Sequence, residues 1–184
     1  MNVVWPVTAL YMGPLAICAY RTMGDTGKTA GSRPFWQKTF VGTTHCGSGC
    51  TLGDIIAEFW VFYGGLAFFG ASAVGVFGTY LVMSYALAYV LGIAFQYFNI
   101  APMRGVWGMP SLWAAIKADT LSLTAFEVGL FGWMALMHFV IFQPRLEPNQ
   151  AAYWFMLQIG MCIGFLTSYP MNWWLVKVGI KEAM

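Results

Sequence analysis

The chain has 184 residues, of which 59% are hydrophobic and only 9% are charged. Soluble domains carry about 25% charged residues, so a soluble fold of this size would lack the charges needed to cover its surface. The formal net charge of +2 is too small to indicate a nucleic-acid partner. The composition predicts an all-α, polytopic membrane helix bundle, a single domain over residues 1–184 whose main partner is the lipid bilayer.

Long apolar runs predict the transmembrane helices, because about 20 mainly apolar residues are needed to cross the hydrocarbon core. Five such runs are present, at residues 3–20, 53–72, 78–100, 121–142 and 153–175. A glycine-rich stretch between residues 64 and 78 is expected to turn the chain between the second and third runs. We therefore predict five membrane spans.

The basic residues predict the orientation of these spans. With five spans, eight of the nine Lys and Arg residues fall on one side of the membrane and Arg145 falls on the other. The eight are Arg21, Lys28, Arg33, Lys38, Arg104, Lys117, Lys177 and Lys181. Since cytoplasmic loops carry the positive charges, we predict that the N-terminus is outside and the C-terminus inside, in a bacterial inner (cytoplasmic) membrane.

The loop between the first two predicted spans contains a sequence that resembles the end of a phosphate-binding loop, Gly27-Lys28-Thr29. That motif requires a glycine five residues before its second glycine, and Thr22 stands there instead. A membrane span rather than a strand precedes the motif. The sequence therefore predicts no nucleotide partner.

The end of the same loop carries three potential metal ligands within six residues, His45, Cys46 and Cys50. This set suits copper(I) or zinc, and the glycines between the cysteines allow a loop to bring both sulfurs to one centre. Thr51 and Asp54 resemble a capping box that opens a helix, which would place Cys50 where a helix dipole favours thiolate. We predict a soft-metal site at a membrane boundary, with copper first and zinc second. A disulfide is the alternative, disfavoured on the reducing cytoplasmic side.

Ionisable residues inside the predicted spans indicate an ion pathway or a second metal site, because charged groups in a bilayer usually serve a function. Four residues follow one another at intervals of four and would share one face if their helix began early: Cys46, Cys50, Asp54 and Glu58. Glu127, Met134 and His138 fall on one face of the fourth span. There are three alternatives. Asp54 is only a helix cap, Glu127 pairs with a Lys or Arg or with a buried amide, and His138 lies at the level of the outer lipid headgroups.

Several longer motifs resemble the signature of a bacterial multi-pass membrane family classed as a domain of unknown function. They are HCGSGCTLGDIIAE at 45–58, FQYF at 95–98 with APMRG at 101–105, ADTLSLTAFE at 118–127, and GFLTSYP at 164–170 with NWW at 172–174. The resemblance covers nearly everything after about residue 40. The resemblance implies a shared membrane fold, but it does not imply any particular activity.

Two functions from different classes fit these observations. The first is a membrane protein that binds copper or zinc at His45, Cys46 and Cys50, in metal transport or homeostasis. The second is a non-catalytic subunit or assembly factor of a larger membrane complex or homo-oligomer. A membrane thiol oxidoreductase working with quinone is a weaker third interpretation. The sequence contains no Ser-His-Asp arrangement, phosphate loop or dinucleotide fingerprint, so it does not predict an enzyme.

Overall fold

The computed structural model describes residues 3–24 and 33–181, and these residues are helical, with no strand among them. The helices are α1 (Val4–Met12), α2 (Pro14–Met23), α3 (Phe35–Gly64), α4 (Ala73–Arg104), α5 (Met109–Leu136) and α6 (Ala151–Lys177). A π-helical turn, Met137–Ile141, extends α5. The glycine-rich connection predicted between the second and third spans is the segment between α3 and α4.

The predicted first span, residues 3–20, is not one helix. Gly13 adopts a φ of +55° and ends α1, and Pro14 begins α2. Glycine adopts a positive φ without steric penalty, and proline is favoured in the first turn of a helix because it has no N–H to donate. The Gly-Pro pair therefore breaks the apolar run into two short helices, which the hydropathy of the run does not reveal.

Helices α3 and α4 are antiparallel and touch through their backbones. A Cβ added at Gly49 would lie 2.6 Å from the Cα of Gly92, and a Cβ at Gly53 would meet the backbone of Ala88. The residue numbers in contact rise along α3 while they fall along α4, which shows that the two helices run antiparallel. Such close approach is possible only where side chains are absent, so the glycines serve helix packing rather than a loop that folds back.

The other helices complete an up-down-up-down bundle. Two hydroxyl pairs join α4 to antiparallel α5: Tyr85–Thr124 at 2.9 Å and Tyr89–Thr120 at 3.2 Å. Helices α5 and α6 approach each other closely at Gly164, where an added Cβ would lie 2.7 Å from the carbonyl oxygen of Phe126 on α5. Helix α6 also contacts α3, which closes the ring, and α1 packs on α3 and α6.

Among the described residues, three helices are long and apolar enough to cross a membrane, over Ala73–Pro102, Met109–Ile141 and Ala151–Lys177. They contain the third, fourth and fifth predicted spans, but the prediction of five spans is wrong. The second predicted span belongs to α3, which begins at Phe35 and ends at Gly64 rather than covering 53–72. Threonines, glycines and acidic residues lower the mean hydropathy of α3, and every residue from 41 to 51 is buried. A helix enclosed by protein needs no apolar surface.

The two ends of the bundle differ in charge. Six basic residues lie at or near the end that holds the start of α3 and the finish of α6: Arg33, Lys38, Arg104, Lys117, Lys177 and Lys181. We call this the basic end. Arg145 lies in the α5–α6 connection at the opposite end. Lys28 and the Gly27-Lys28-Thr29 sequence lie outside the described residues.

Candidate functional site

The His-Cys cluster lies in the middle of α3 and not at a membrane-boundary loop. Helix α3 starts at Phe35, after the extended Pro34, so the capping role predicted for Thr51 is wrong. The polar residues that made this region resemble a loop bond to the helix itself. Thr43 Oγ1 donates to the Thr39 carbonyl at 2.8 Å, and Thr44 Oγ1 donates to the Val41 carbonyl at 2.7 Å. Threonine is tolerated within a helix when its hydroxyl bonds to the preceding turn.

The early start of α3 confirms that four side chains share one helix face. They are Cys46, Cys50, Asp54 and Glu58, which we call the polar row. The exposed fraction is 0% for the first three residues and 4% for Glu58. Residues four apart lie one above another on a helix, so the row runs for three turns along the centre of the bundle. A buried carboxyl group in such a row requires a partner, a ligand or protonation, whereas a buried thiol requires none.

Cys46 and Cys50, which we call the thiol pair, are both free and contact each other. Ser122 on α5 places its Oγ 3.4 Å from Cys46 Sγ. His45 is buried, and its Nδ1 has no hydrogen-bond partner among the described residues. Successive residues of an α-helix are rotated by about 100° around its axis, so the His45 side chain points away from the face that carries Cys46 and Cys50. Within residues 3–24 and 33–181, no group of three His, Cys, Asp or Glu side chains is arranged to hold a metal ion.

The carboxyl groups of the site differ in their partners. Glu58 Oε2 accepts a 2.6 Å hydrogen bond from the Tyr153 hydroxyl on α6. Asp54 and Glu127 are buried, and none of their carboxyl oxygens has a well-formed hydrogen bond to a described residue. The nearest polar side chains are Ser84 beside Asp54 and Cys50 beside Glu127. Glu127 comes from α5 and lies within electrostatic range of Cys50 and Asp54. The structure thus brings three predicted acidic residues together against the thiol pair.

A cavity of about 390 Å³ opens beside the part of the polar row that lies farther from the basic end, at Asp54 and Glu58. Its lining includes Asp54 and Glu58 from α3, and Met134 and His138 from the α5 extension. The His138 ring lies 5.3 Å from the Phe77 ring, and its Nε2 has no described partner. The predicted second group of residues is therefore divided. Met134 and His138 face the cavity, whereas Glu127 contacts the polar row at Cys50.

The basic end of the site is closed by a buried lysine. After α6 the chain turns at Gly179, where φ is +76°, and the Lys181 amide bonds back to the Leu175 carbonyl at 3.2 Å. Lys181 Nζ donates to Asn172 Oδ1 at 2.6 Å and lies 3.5 Å from Ser122 Oγ. Ser122 in turn contacts Cys46, so hydrogen-bonding groups continue from Lys181 to the thiol pair.

A sequence model of a protein family, described as Domain of unknown function (DUF4396), matches residues 35–181. The chain belongs to the DUF4396 family. The match begins at the first residue of α3 and ends at Lys181, so the DUF4396 domain contains the whole four-helix bundle, the polar row and the cavity, while α1 and α2 precede it. No curated protein and no solved structure matches the chain.

Two residues that position the site within the DUF4396 domain were not predicted. Tyr153 was seen only as the start of a span, and Lys181 only as a charge near the membrane surface. Both act through partners far away in the sequence, Glu58 and Ser122 respectively. The residues after α6 carry one signal for Lys181. Gly179 stands just past the end of this apolar helix and two residues before the lysine, an arrangement that is typical of a helix end. That signal does not indicate that the lysine turns inward.

Proposed function

We propose that this protein is an integral membrane protein that binds copper(I) at the thiol pair and acts in copper transport or homeostasis. The observation that supports this most directly is a pair of free cysteines, one helical turn apart, in contact and without exposed surface. Buried cysteine alone is usually a packing residue. Here the pair stands in a row with buried carboxyl groups, which favours a role in binding a cation.

The number of available ligands favours copper(I) over zinc. Structural zinc is almost always held by four ligands in a tetrahedron, and catalytic zinc by three. Copper(I) is a soft ion that prefers thiolate and thioether sulfur, and two thiolates are enough to hold it. Since His45 points away from the thiol pair, the pair offers the ligand set of copper(I) without requiring a third residue.

The cation would reach the thiol pair through the centre of the bundle. Asp54, Glu58 and Glu127 lie on the cavity side of the pair, and acidic residues inside membranes typically line ion pathways. Met134 and His138 at the cavity supply further soft ligands. In this proposal α3 crosses the membrane together with the apolar helices α4, α5 and α6. The basic end faces the cytoplasm of a bacterial cell, following the positive-inside rule.

The test is copper content measured by elemental mass spectrometry on protein purified in mild detergent under reducing conditions and loaded with copper(I). About one copper per chain is expected for the natural sequence. The C46S/C50S double variant should lose it, because serine oxygen is a poor ligand for a soft ion.

A matched control removes the other two cysteines. C18S/C162S deletes as many thiols, but Cys18 is exposed and Cys162 donates to the Tyr11 carbonyl at 3.3 Å rather than contacting the thiol pair in its own helix. This variant should keep its copper. Absence of copper in the natural protein, or equal loss in both variants, contradicts the proposal. Absence in the natural protein leaves the interpretation as a non-catalytic subunit, for which the next experiment is isolation of the complex from native membranes.

A further inference from the structure

The cavity beside Asp54 and Glu58 has the size of a site for an organic molecule. Its volume is about 390 Å³, and sites for small molecules usually measure about 300–1,000 Å³. A bare metal ion would fill only a small part of this volume. The cavity therefore has room for a ligand that the thiol pair does not require.

The walls and the floor of the cavity differ in chemistry. Aromatic rings from three helices line the walls, including Phe62, Phe77, Tyr80 and Phe131, and aliphatic side chains fill the gaps between them. Such rings favour an apolar group, and their faces attract a cation. The ligand that fits these walls is apolar over most of its surface.

The floor is acidic and has unused hydrogen-bonding capacity. Asp54 lines the cavity with 0% exposed surface, and neither of its carboxyl oxygens has a well-formed hydrogen bond to a described residue. The Ser84 hydroxyl lies beside this carboxyl group and can satisfy only part of its hydrogen-bonding capacity. Glu58 lies one turn above it and is held by the Tyr153 hydroxyl. A buried carboxyl group is stable when it is protonated or when a cation pairs with its ionised form. A ligand that carries positive charge and donates hydrogen bonds would supply that pairing at this floor.

The mouth of the cavity does not reverse this preference. It carries one basic and one acidic side chain, Arg145 and Glu147, and both are exposed to solvent. Charges exposed to solvent are screened far more than buried ones. The buried acidic floor therefore determines the sign of the ligand, and an anion would meet Asp54 and Glu58 without a compensating group.

We infer that this cavity binds a small organic cation, a protonated amine attached to an apolar group, with its charge at Asp54 and Glu58. The apolar group lies against the aromatic walls and the ammonium donates to the carboxyl oxygens of Asp54. This site shares Asp54 and Glu58 with the ion path of the proposed function, but it does not include the thiol pair and does not depend on copper binding.

The experiment measures equilibrium binding of two probes of equal size to the full chain in lipid nanodiscs. The probes are 2-phenylethylamine, which is protonated at neutral pH, and 2-phenylethanol, which is neutral. Saturable binding of the amine is expected, with little binding of the alcohol. The D54N and E58Q variants should each weaken amine binding by about tenfold or more, the loss expected for one charged contact.

Two further variants keep the result decisive. D119N removes a buried carboxyl from the basic end of the bundle and should leave amine binding unchanged. A71W places a large ring at the exposed mouth of the cavity without touching the floor, so it should weaken binding even if the acidic variants do not fold. No saturable amine binding, equal binding of the alcohol, or unchanged binding in A71W overturns the inference. The C46S/C50S variant should keep amine binding, which separates this test from that of the copper site.

Discussion

Replacement of single glycines on α3 tests whether close contact with α4 positions the polar row. At Gly53, an added methyl group would meet the backbone of Ala88, and the carbonyl carbon of Leu87 would lie only 2.7 Å away. Ordinary contacts between carbon atoms are about 3.5–4.0 Å, so α4 would have to move by roughly 1 Å. At Gly42 on the same helix, an added Cβ would find no atom within 4 Å.

The two substitutions should therefore change stability in opposite directions. Alanine is favoured over glycine inside a helix by roughly 0.5–1 kcal/mol, so G42A should raise the free energy of unfolding by that amount. Overpacking destabilises a protein by about 1–3 kcal/mol, and the same propensity gain offsets part of this loss, so G53A should lower the free energy of unfolding by a net of roughly 0.5–2 kcal/mol. For a domain of about 150–250 residues, 1 kcal/mol corresponds to about 2–4 °C in Tm. The expected changes are a fall of roughly 1–8 °C for G53A and a rise of roughly 1–4 °C for G42A.

The assay is thermal unfolding of each purified variant in the same detergent, followed by circular dichroism. Using two glycines of one helix controls for helix propensity, which is the same for both substitutions. If G53A is as stable as G42A, the backbone contact between α3 and α4 is not present in the protein. The placement of the polar row against α4 and α5 would then be wrong.

Three further predictions concern the ends of the polar row and its thiols. Y153F removes the hydrogen bond to Glu58 and should destabilise the protein by about 1–3 kcal/mol, measured as a fall in Tm; an unchanged Tm would show that the bond is absent. K181M leaves buried partners unsatisfied and should also lose about 1–3 kcal/mol, whereas K177M, at an exposed position, should remain within about 0.5 kcal/mol; equal effects would place Lys181 at the surface. In native protein, maleimide should label Cys18 rapidly and the thiol pair only after unfolding, as mass spectrometry of the labelled peptides would show; rapid labelling of the thiol pair would contradict its burial.

Apolar patterning predicted the three helices that are long and apolar enough to cross a membrane, and it missed α3. The third, fourth and fifth spans were found because α4, α5 and α6 are apolar over most of their length. Residues 41–51 of α3 are buried against other helices, so this part of the helix packs on protein and is not recognised by its hydropathy. Glycines and threonines that permit close packing have the same composition as a loop, which is why residues 35–52 were predicted to connect two spans.

The site could be predicted along one helix but not between helices. The interval of four that joins Cys46 to Glu58 is a property of α-helical geometry, and it required only that the helix start early. The contacts of Tyr153, Ser122 and Lys181 connect different helices and depend on how the bundle closes. The pattern of a single sequence carries no information about those distances, so the cavity and the buried lysine appear only in the structure.

The most direct test of the central claim is X-ray absorption at the copper edge on the copper(I)-loaded protein. Coordination by the thiol pair predicts two sulfur atoms around copper and no nitrogen from His45. The C18S/C162S variant should give the same spectrum, because its thiol pair is intact. A copper shell made of nitrogen or oxygen, or a sulfur signal that persists in C46S/C50S, would contradict binding at the thiol pair.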